Sequence, residues 1–237
     1  MKLGSILINE KITRAFIEKT VPPLKNDEVL VALLSARRKY DPTLSTSQEI
    51  LARKIIRDND VEKIIQELRK LSTVGFYLDK GKPISQTAFA MYIDLNPKSI
   101  LKAFTLFSRE INNLLYDCII TQNADYQTLK RIDLKLFSTI HRSNARTRPF
   151  WCLDIDKKDF TLLKELVAIL GKQNVLWVSE TRNGFHLIAE RNEETGKRLF
   201  KEGLPPTIKS VVTMKKEPTT PVPGTLQGGV LVKQVKL

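Results

Sequence analysis

Cysteine and histidine are scarce in this chain of 237 residues, which contains Cys118, Cys152, His141 and His186 and no others. Two distant cysteines cannot form the disulfide framework of a small secreted domain. With so few histidines beside them, no zinc site of the usual Cys/His spacing can be assembled. These shortages exclude such a zinc module and favour a reduced, cytoplasmic setting.

Long apolar runs are absent too. The longest, such as Val29–Leu34, fall far short of the ~20 residues that a membrane-spanning helix needs. The N-terminal residues show no signal-peptide pattern, and the chain has no Gly-x-x-x-x-Gly-Lys-Ser/Thr loop of the kind that holds phosphates in an ATPase. We therefore expect no membrane partner and no ATPase motor.

Acidic residues are outnumbered by basic ones, with 39 Lys and Arg against 26 Asp and Glu and a formal charge of +13. Such an excess attracts polyanions, so nucleic acid is the expected partner; a basic charge that serves only solubility is the alternative. No acid lies between Ser138 and Leu153. The basic residues expected to follow a template backbone are Arg37, Arg38, Lys39, Arg142, Arg146 and Arg148.

Periodic apolar residues and turn signals predict an α+β domain with a mixed β-sheet and peripheral helices. A helical N-terminal extension is predicted over residues 1–27, before a core over residues 28–237. The capping box Thr46-Ser-Gln-Glu49 and the apolar positions after it predict one or two helices. Further strands are predicted over 27–36, 87–95, 150–156, 174–180 and 185–189, and further helices over 100–115, 129–140, 160–170 and 192–202.

Asp154 and Asp156 stand at the end of one predicted strand. Because side chains alternate along a strand, the two carboxylates point the same way, roughly 6.5 Å apart, and Trp151, Leu153 and Ile155 fill the other side. Hard divalent cations take oxygen ligands, and Mg²⁺ commonly uses one or two carboxylates together with substrate phosphates. The pair is therefore a candidate site for Mg²⁺ or Mn²⁺, although Asp-x-Asp also occurs at solvated strand ends.

The hairpin after this strand places His186 beside the turn signal Asn183-Gly184. A glycine there lets the backbone approach a ligand, Arg182 presents a planar fork of donors to phosphate oxygens, and His186 can donate to a triphosphate. A surface hairpin with a structural histidine is the simpler alternative.

The loop Pro221-Val-Pro-Gly-Thr-Leu-Gln-Gly-Gly229 carries the hydroxyl of Thr225 and the amide of Gln227 between basic segments. Backbone N–H groups in such a loop can bind an anion. An ordinary turn is the other interpretation.

These three motifs, in this order, resemble the archaeo-eukaryotic primase superfamily of primase small subunits and primase-polymerases. The family's Asp-x-Asp after a hydrophobic strand is similar to Trp151-Cys-Leu-Asp154-Ile-Asp156, and its Gly-x-His motif to Thr181-Arg-Asn-Gly184-Phe-His186. Its Pro-Gly-Ser/Thr-Leu-x-Gly loop is similar to Pro223-Gly-Thr-Leu-Gln-Gly228. Its strand before a nucleic-acid-facing helix is similar to residues 90–103, and the resemblance covers residues 28–237.

The resemblance implies a primase-polymerase core that makes primers from nucleoside triphosphates on a single-stranded DNA template, with Mg²⁺ or Mn²⁺. It implies catalytic roles for Asp154, Asp156 and His186, with the two aspartates as metal ligands. A large primase subunit or a helicase is the implied protein partner. The implied nucleotide-binding residues are Arg182, His186, Lys215, Thr225 and Gln227.

One departure from the family pattern concerns a third acidic residue, because Lys215 stands where relatives carry it. Glu180, Glu190 or Glu217 would then have to supply the charge. The alternative is a primase-like subunit that binds nucleic acid in a replication-initiation complex with little or no catalysis. A metal-dependent nuclease is a third hypothesis, since paired acids and a histidine also serve phosphodiester hydrolysis.

Overall fold

The computed structural model describes residues 4–74, 77–120, 126–145, 148–214 and 219–236. The strands are β1 (Gly4–Ser5), β2 (Glu28–Arg37), β3 (Gln48–Ile56), β4 (Thr73–Val74), β5 (Leu78–Asp79), β6 (Lys82–Pro83), β7 (Phe89–Ser99), β8 (Phe150–Ile155), β9 (Val175–Glu180), β10 (Phe185–Glu190), β11 (Val212–Met214), β12 (Thr219–Pro221), β13 (Leu226–Gln227), β14 (Val230–Leu231) and β15 (Lys233–Gln234). The helices are α1 (Glu10–Thr20), α2 (Val61–Ser72), α3 (Ile100–Ile120), α4 (Tyr126–Leu129), α5 (Ile132–Arg142), α6 (Phe160–Leu170), α7 (Glu193–Gly196) and α8 (Pro206–Lys209), with a wide helical turn over Lys197–Gly203. The predicted α+β class is confirmed.

A four-stranded sheet runs in the order β12-β7-β2-β3. Its centre is β2 and β7, whose long apolar segments are buried on both faces, as expected of strands covered from both sides. Phe16 of α1 and Leu68 of α2 pack on one face, in a core that also takes in Trp177 and Ile188 from the second sheet. The two sheets therefore share one hydrophobic core.

The second sheet has five strands in the order β11-β8-β10-β9-β15. The helix α6 connects β8 to β9, and on the sheet face beneath it Leu153 and Phe185 join Leu163 and Leu166 of that helix in a second core. Such a crossover makes its two strands parallel, but β10 inserts between them and pairs antiparallel with both. The strand pairs of the described residues are all antiparallel. The prediction of a mixed parallel and antiparallel sheet is therefore wrong for this part of the chain.

The segment after the capping box is a strand and not the predicted helix. Gln48–Ile56 forms β3, which pairs with β2 from Leu30↔Ile56 to Arg37↔Gln48. The helix starts later, at α2, where Asp60 accepts a hydrogen bond from the backbone N–H of Lys63. Pairing with a fully buried neighbour strand outweighs the local capping signal, because helical propensity is a weak preference that tertiary contacts override.

The N-terminal helix packs against the rest of the protein. Phe16 of α1 is fully buried and meets Trp177 edge to face, with 5.4 Å between ring centroids. The Thr13 hydroxyl donates to the Pro223 carbonyl oxygen at 2.6 Å. The helix therefore supports the loop that carries Thr225 and Gln227.

A buried ion pair lies on β7. Lys98 Nζ is 2.7 Å from Asp94 Oδ2, and the two side chains are 0% and 1% exposed. Lys98 also donates to Asn144 Oδ1 at 2.7 Å. Burial raises the pKa of the Asp94 carboxyl, and the nearby Lys98 ammonium opposes that rise.

Across the described residues, every helix is too short or too polar to cross a lipid bilayer.

Candidate active-site cleft

A cleft of about 580 Å³ opens between the two sheets. Its walls come from β2, β3, β7 and β12 of one sheet, from β8 and β10 of the other, and from the end of α5. Such a volume is in the range of small-molecule and nucleotide sites. The residues around the cleft are Leu33, Arg37, Lys39, Gln48, Ile50, Tyr92, His141, Asp154, His186, Thr219 and Gln227.

Asp154 and His186 meet on the wall of this cleft. They are directly opposite each other in the antiparallel register of β8 and β10. His186 Nε2 lies 2.9 Å from Asp154 Oδ1, a hydrogen-bond distance, and the side chains are 8% and 15% exposed. A carboxylate bonded to one ring nitrogen fixes the orientation of an imidazole and leaves the other nitrogen for chemistry. In the described part of the chain, His186 Nδ1 is buried and makes no hydrogen bond.

Gly184 brings the hairpin tip onto the backbone that carries the aspartates. A Cβ added at Gly184 would lie 1.8 Å from the carbonyl oxygen of Ile155 and 2.9 Å from the backbone nitrogen of Lys157. The Gly184 carbonyl accepts from the backbone N–H of Thr181 at 2.9 Å and from its hydroxyl at 3.1 Å. The glycine of the Gly-x-His motif therefore has a packing reason, which is close approach to the end of β8.

We expect Gly184→Ala to destabilise the protein by about 1–3 kcal/mol or more, because the new methyl group meets backbone that cannot rotate away. Gly196→Ala is the matched control, since a Cβ there meets nothing within 4 Å. It should gain roughly 0.5–1 kcal/mol, as alanine is the better helix residue. Urea unfolding of both variants measures the difference. Equal unfolding midpoints for the two variants would show that the close backbone approach does not explain the glycine at position 184.

The Pro-Gly-Thr-Leu loop reaches the cleft through one of its two predicted nucleotide ligands. Gln227 lines the cleft, and its Oε1 accepts from the backbone N–H of Arg182 at 3.2 Å. Thr225 is fully buried instead, and its hydroxyl donates to the Val222 carbonyl at 2.7 Å, so the structure does not bring it to the cleft. Its position gives Thr225 a role in holding the turn.

Arg182 is held against this loop rather than extended into the cleft. Its Nη1 donates to the Gly228 carbonyl at 2.6 Å, and its guanidinium lies over the Tyr40 ring, 5.2 Å from the centroid. Burial, with Tyr92 beside it, raises the pKa of the Tyr40 hydroxyl, which therefore stays protonated. A phosphate contact from Arg182 remains a prediction that would require the side chain to turn.

The end of β2 and the residues just after it bring positive charge to the cleft. Arg37 and Lys39 line the cleft, and Arg37 Nη1 donates to the Tyr92 hydroxyl at 3.2 Å. The buried Arg37 Nε makes no hydrogen bond within the described residues. Arg38 is exposed outside the cleft. Two of the three predicted basic residues of this segment therefore face the aspartate and histidine.

Asp156 lies one residue past the end of β8 and is exposed, and its backbone N–H donates to the Val211 carbonyl oxygen at 3.2 Å. It is not among the residues that line the cleft. The Glu180 carboxylate forms an ion pair with Lys158, with 2.7 Å between Glu180 Oε1 and Lys158 Nζ. Glu190 is exposed at the far end of β10, about 13 Å along the strand from His186.

Lys215 and Glu217 lie outside the described residues, and the residues that are described contain no group of three His, Cys, Asp or Glu side chains able to hold a metal. Mg²⁺, however, commonly takes only one or two carboxylates and completes its shell with water and phosphate oxygens. Asp154 on the cleft wall therefore fits a cation that arrives with a phosphorylated substrate, whereas the exposed Asp156 does not line the cleft and its part in such a site stays a prediction.

The structure places the predicted basic residues before β8 in different surroundings. Arg142 forms an ion pair with Glu110, with 2.7 Å between its Nη2 and Glu110 Oε1, and Arg148 lines a separate basic pocket. Arg146 lies outside the described residues.

Several cleft residues were not predicted as site residues. Gln48 and Ile50 reach the cleft only because β3 is a strand, whereas Tyr92, His141 and Thr219 are brought in by packing. The available signal was the polar Tyr92 within an otherwise apolar segment, whereas Asp94, two residues later, is buried in the ion pair with Lys98.

Comparison of the chain with models of protein families, with curated proteins and with solved structures found no match.

Proposed function

We propose that the cleft binds a nucleoside triphosphate and the end of a nucleic-acid strand, and that the chain is a template-dependent nucleotidyltransferase of the primase type. The observation that carries the proposal is the pairing of Asp154 with His186 at 2.9 Å, in one cleft with Arg37 and Lys39. Phosphoryl transfer needs a carboxylate that holds a cation and positive or hydrogen-bonding side chains that bind phosphates. Asp154 can serve the first purpose, and His186, Arg37 and Lys39 the second.

In this reaction the 3′-oxygen of a strand forms a bond to the α-phosphorus of the nucleotide, and pyrophosphate leaves. Mg²⁺ or Mn²⁺ at Asp154 and Asp156 would supply charge neutralisation and a lowered pKa of the attacking hydroxyl. His186, oriented by Asp154, adds an imidazole to the cleft wall beside the place proposed for the phosphates. Arg37, held by the Tyr92 hydroxyl, and Lys39 add positive charge for the triphosphate.

A nucleic-acid-binding subunit without catalysis is the second candidate. The exposure of Asp156 outside the cleft favours it, as does the lack of a three-ligand metal group in the part of the chain that is described. A metal-dependent nuclease uses similar groups and is separated from both by its products.

The test is a synthesis assay with the full chain on single-stranded DNA, unprimed and primed, with NTP or dNTP and with Mg²⁺ or Mn²⁺. We expect strands to grow one nucleotide at a time in a template-directed order. Shortening of the primer would indicate the nuclease. Binding of the template without any product under all conditions would overturn the proposal in favour of the binding subunit.

A further inference from the structure

A second basic region lies outside the cleft, where β8 begins. A pocket of about 450 Å³ is lined there by Lys102, Asn144, Ala145, Arg148 and Arg191. The Arg191 backbone N–H donates to the Pro149 carbonyl at 2.7 Å, which fixes this residue beside the start of the strand. Cations from α3, from the segment before β8 and from the residue after β10 thus meet at one place.

In the part of the chain that the structure describes, no acid neutralises these cations. None of Lys102, Arg148 and Arg191 takes part in an ion pair within the described residues. Lys102 donates to the Asn144 carbonyl at 3.2 Å, and the Asn144 side chain is in turn held by Lys98. The pocket floor is therefore fixed by neutral oxygen atoms, which leaves its positive charge for a ligand.

Aromatic rings adjoin the pocket. The Arg191 guanidinium lies over the Trp151 ring, 4.2 Å from its centroid. Trp151 meets Phe200 edge to face at 5.4 Å, and its Nε1 donates to Thr195 at 3.2 Å. Phe200 is 61% exposed. The Trp151 ring is thus fixed by its neighbours, and the Phe200 ring next to it is open to solvent.

We propose that Lys102, Arg148, Arg191, Trp151 and Phe200 form a basic-aromatic surface that binds single-stranded nucleic acid. The cations contact phosphates, and a base stacks on the exposed Phe200. Both kinds of contact are typical of proteins that bind single strands without sequence preference. A duplex would hide its base faces from Phe200, so the exposed ring favours a single strand.

The surface deepens the proposed function and rests on it, because it names where the template strand lies before it reaches the cleft. Trp151 and Asp154 are three residues apart on β8, about 10 Å along the strand, and their side chains lie on opposite faces of the sheet. The template strand would therefore pass round the beginning of β8 to reach the cleft, which a segment within the ~4–16 nucleotides that single-strand-binding folds commonly occupy can do.

The charge test replaces Lys102, Arg148 and Arg191 by Gln, which removes the charge and keeps the first two methylene groups of each side chain. Binding of a fluorescent single-stranded oligonucleotide is measured by anisotropy over a range of salt, without nucleotide or divalent metal. We expect the slope of log K against log salt to flatten by about two units, since each single-strand phosphate contact contributes about 0.7. The control replaces the exposed Lys11, Lys164 and Lys209 by Gln, with the same loss of charge and an expected slope change well below one unit.

The stacking test is Phe200→Ala, for which we expect affinity to fall about fivefold or more at constant salt. Phe104→Ala, on α3 and 51% exposed, is the control and should change nothing. An abasic oligonucleotide of the same length should bind Phe200→Ala and the parent protein equally. A loss that is equal with the abasic strand would show that Phe200 acts without stacking and would overturn its assigned role.

If the triple Gln variant folds normally by circular dichroism and its salt slope is unchanged, the proposed nucleic-acid-binding surface is refuted, even when strand synthesis is intact. Conversely, absence of synthesis with a flattened slope would refute the nucleotidyltransferase and leave the surface standing. Binding of duplex as tight as that of the single strand, and equally sensitive to Phe200→Ala, would also contradict the proposal.

Discussion

Replacing Asp154 by Asn should lower the rate of strand synthesis roughly a thousandfold, because a cation and its share of the transition-state charge stabilisation, several kcal/mol, are lost. An amide oxygen at this position can still accept the hydrogen bond from His186 Nε2. The substitution therefore removes the charge and keeps the orientation of the imidazole. The measurement is the initial rate of primer extension at saturating nucleotide, with Mg²⁺ and with Mn²⁺.

Glu190→Gln is the matched control, since Glu190 is an exposed carboxylate on the same pair of strands, at the far end from His186. It should leave the rate within about twofold, because an exposed charge so distant is largely screened. Template binding by Asp154→Asn should be equal to that of the parent or tighter, as one negative charge near the phosphates is gone. Synthesis at the parent rate in Asp154→Asn would eliminate the carboxylate as a participant in the reaction.

The elements that position this site could be predicted largely from local sequence. The alternation of Trp151, Leu153 and Ile155 against Asp154 gives a strand, and the structure places those three in the α6 core while Asp154 turns to the cleft. The turn signal at Gly184 likewise gives the β9–β10 hairpin. Both signals work because they depend on residues adjacent in the chain.

What could not be predicted depends on contacts between distant segments. The apolar spacing after Glu49 is compatible with a helix, and only pairing with β2 makes it β3. Arg182 has the chemistry of a phosphate ligand, yet the distant Gly228 carbonyl takes its guanidinium. Thr225 shows the same effect, since its hydroxyl donates a hydrogen bond to the Val222 carbonyl inside the turn. Residue type predicts what a side chain can do, whereas packing decides whether a ligand can reach it.

The buried pair on β7 has a large expected effect on stability. Lys98→Met should lower the free energy of unfolding by about 3–5 kcal/mol, because it leaves the Asp94 carboxyl buried without its cation. Lys197→Met is the control, since Lys197 forms an exposed ion pair with Glu202 at 3.6 Å. Its loss should cost at most about 1 kcal/mol. Urea unfolding at neutral pH compares the two, and equal losses would show that burial adds nothing to the cost of breaking the Asp94–Lys98 pair.

The pH dependence of the Lys98→Met variant identifies the cause. Burial already raises the pKa of Asp94 above its usual 3.8, and removal of the ammonium should raise it further. The native variant then holds a proton that the unfolded chain has released, so its stability falls as pH rises from about 4 toward neutrality. The loss should therefore be smaller near pH 4 than near pH 7. A second substitution, Asp94→Leu, should recover most of the stability, since an apolar pair of similar volume avoids the desolvation of both charges. Failure of that double variant to recover would instead assign the loss to the hydrogen bond between Lys98 and Asn144.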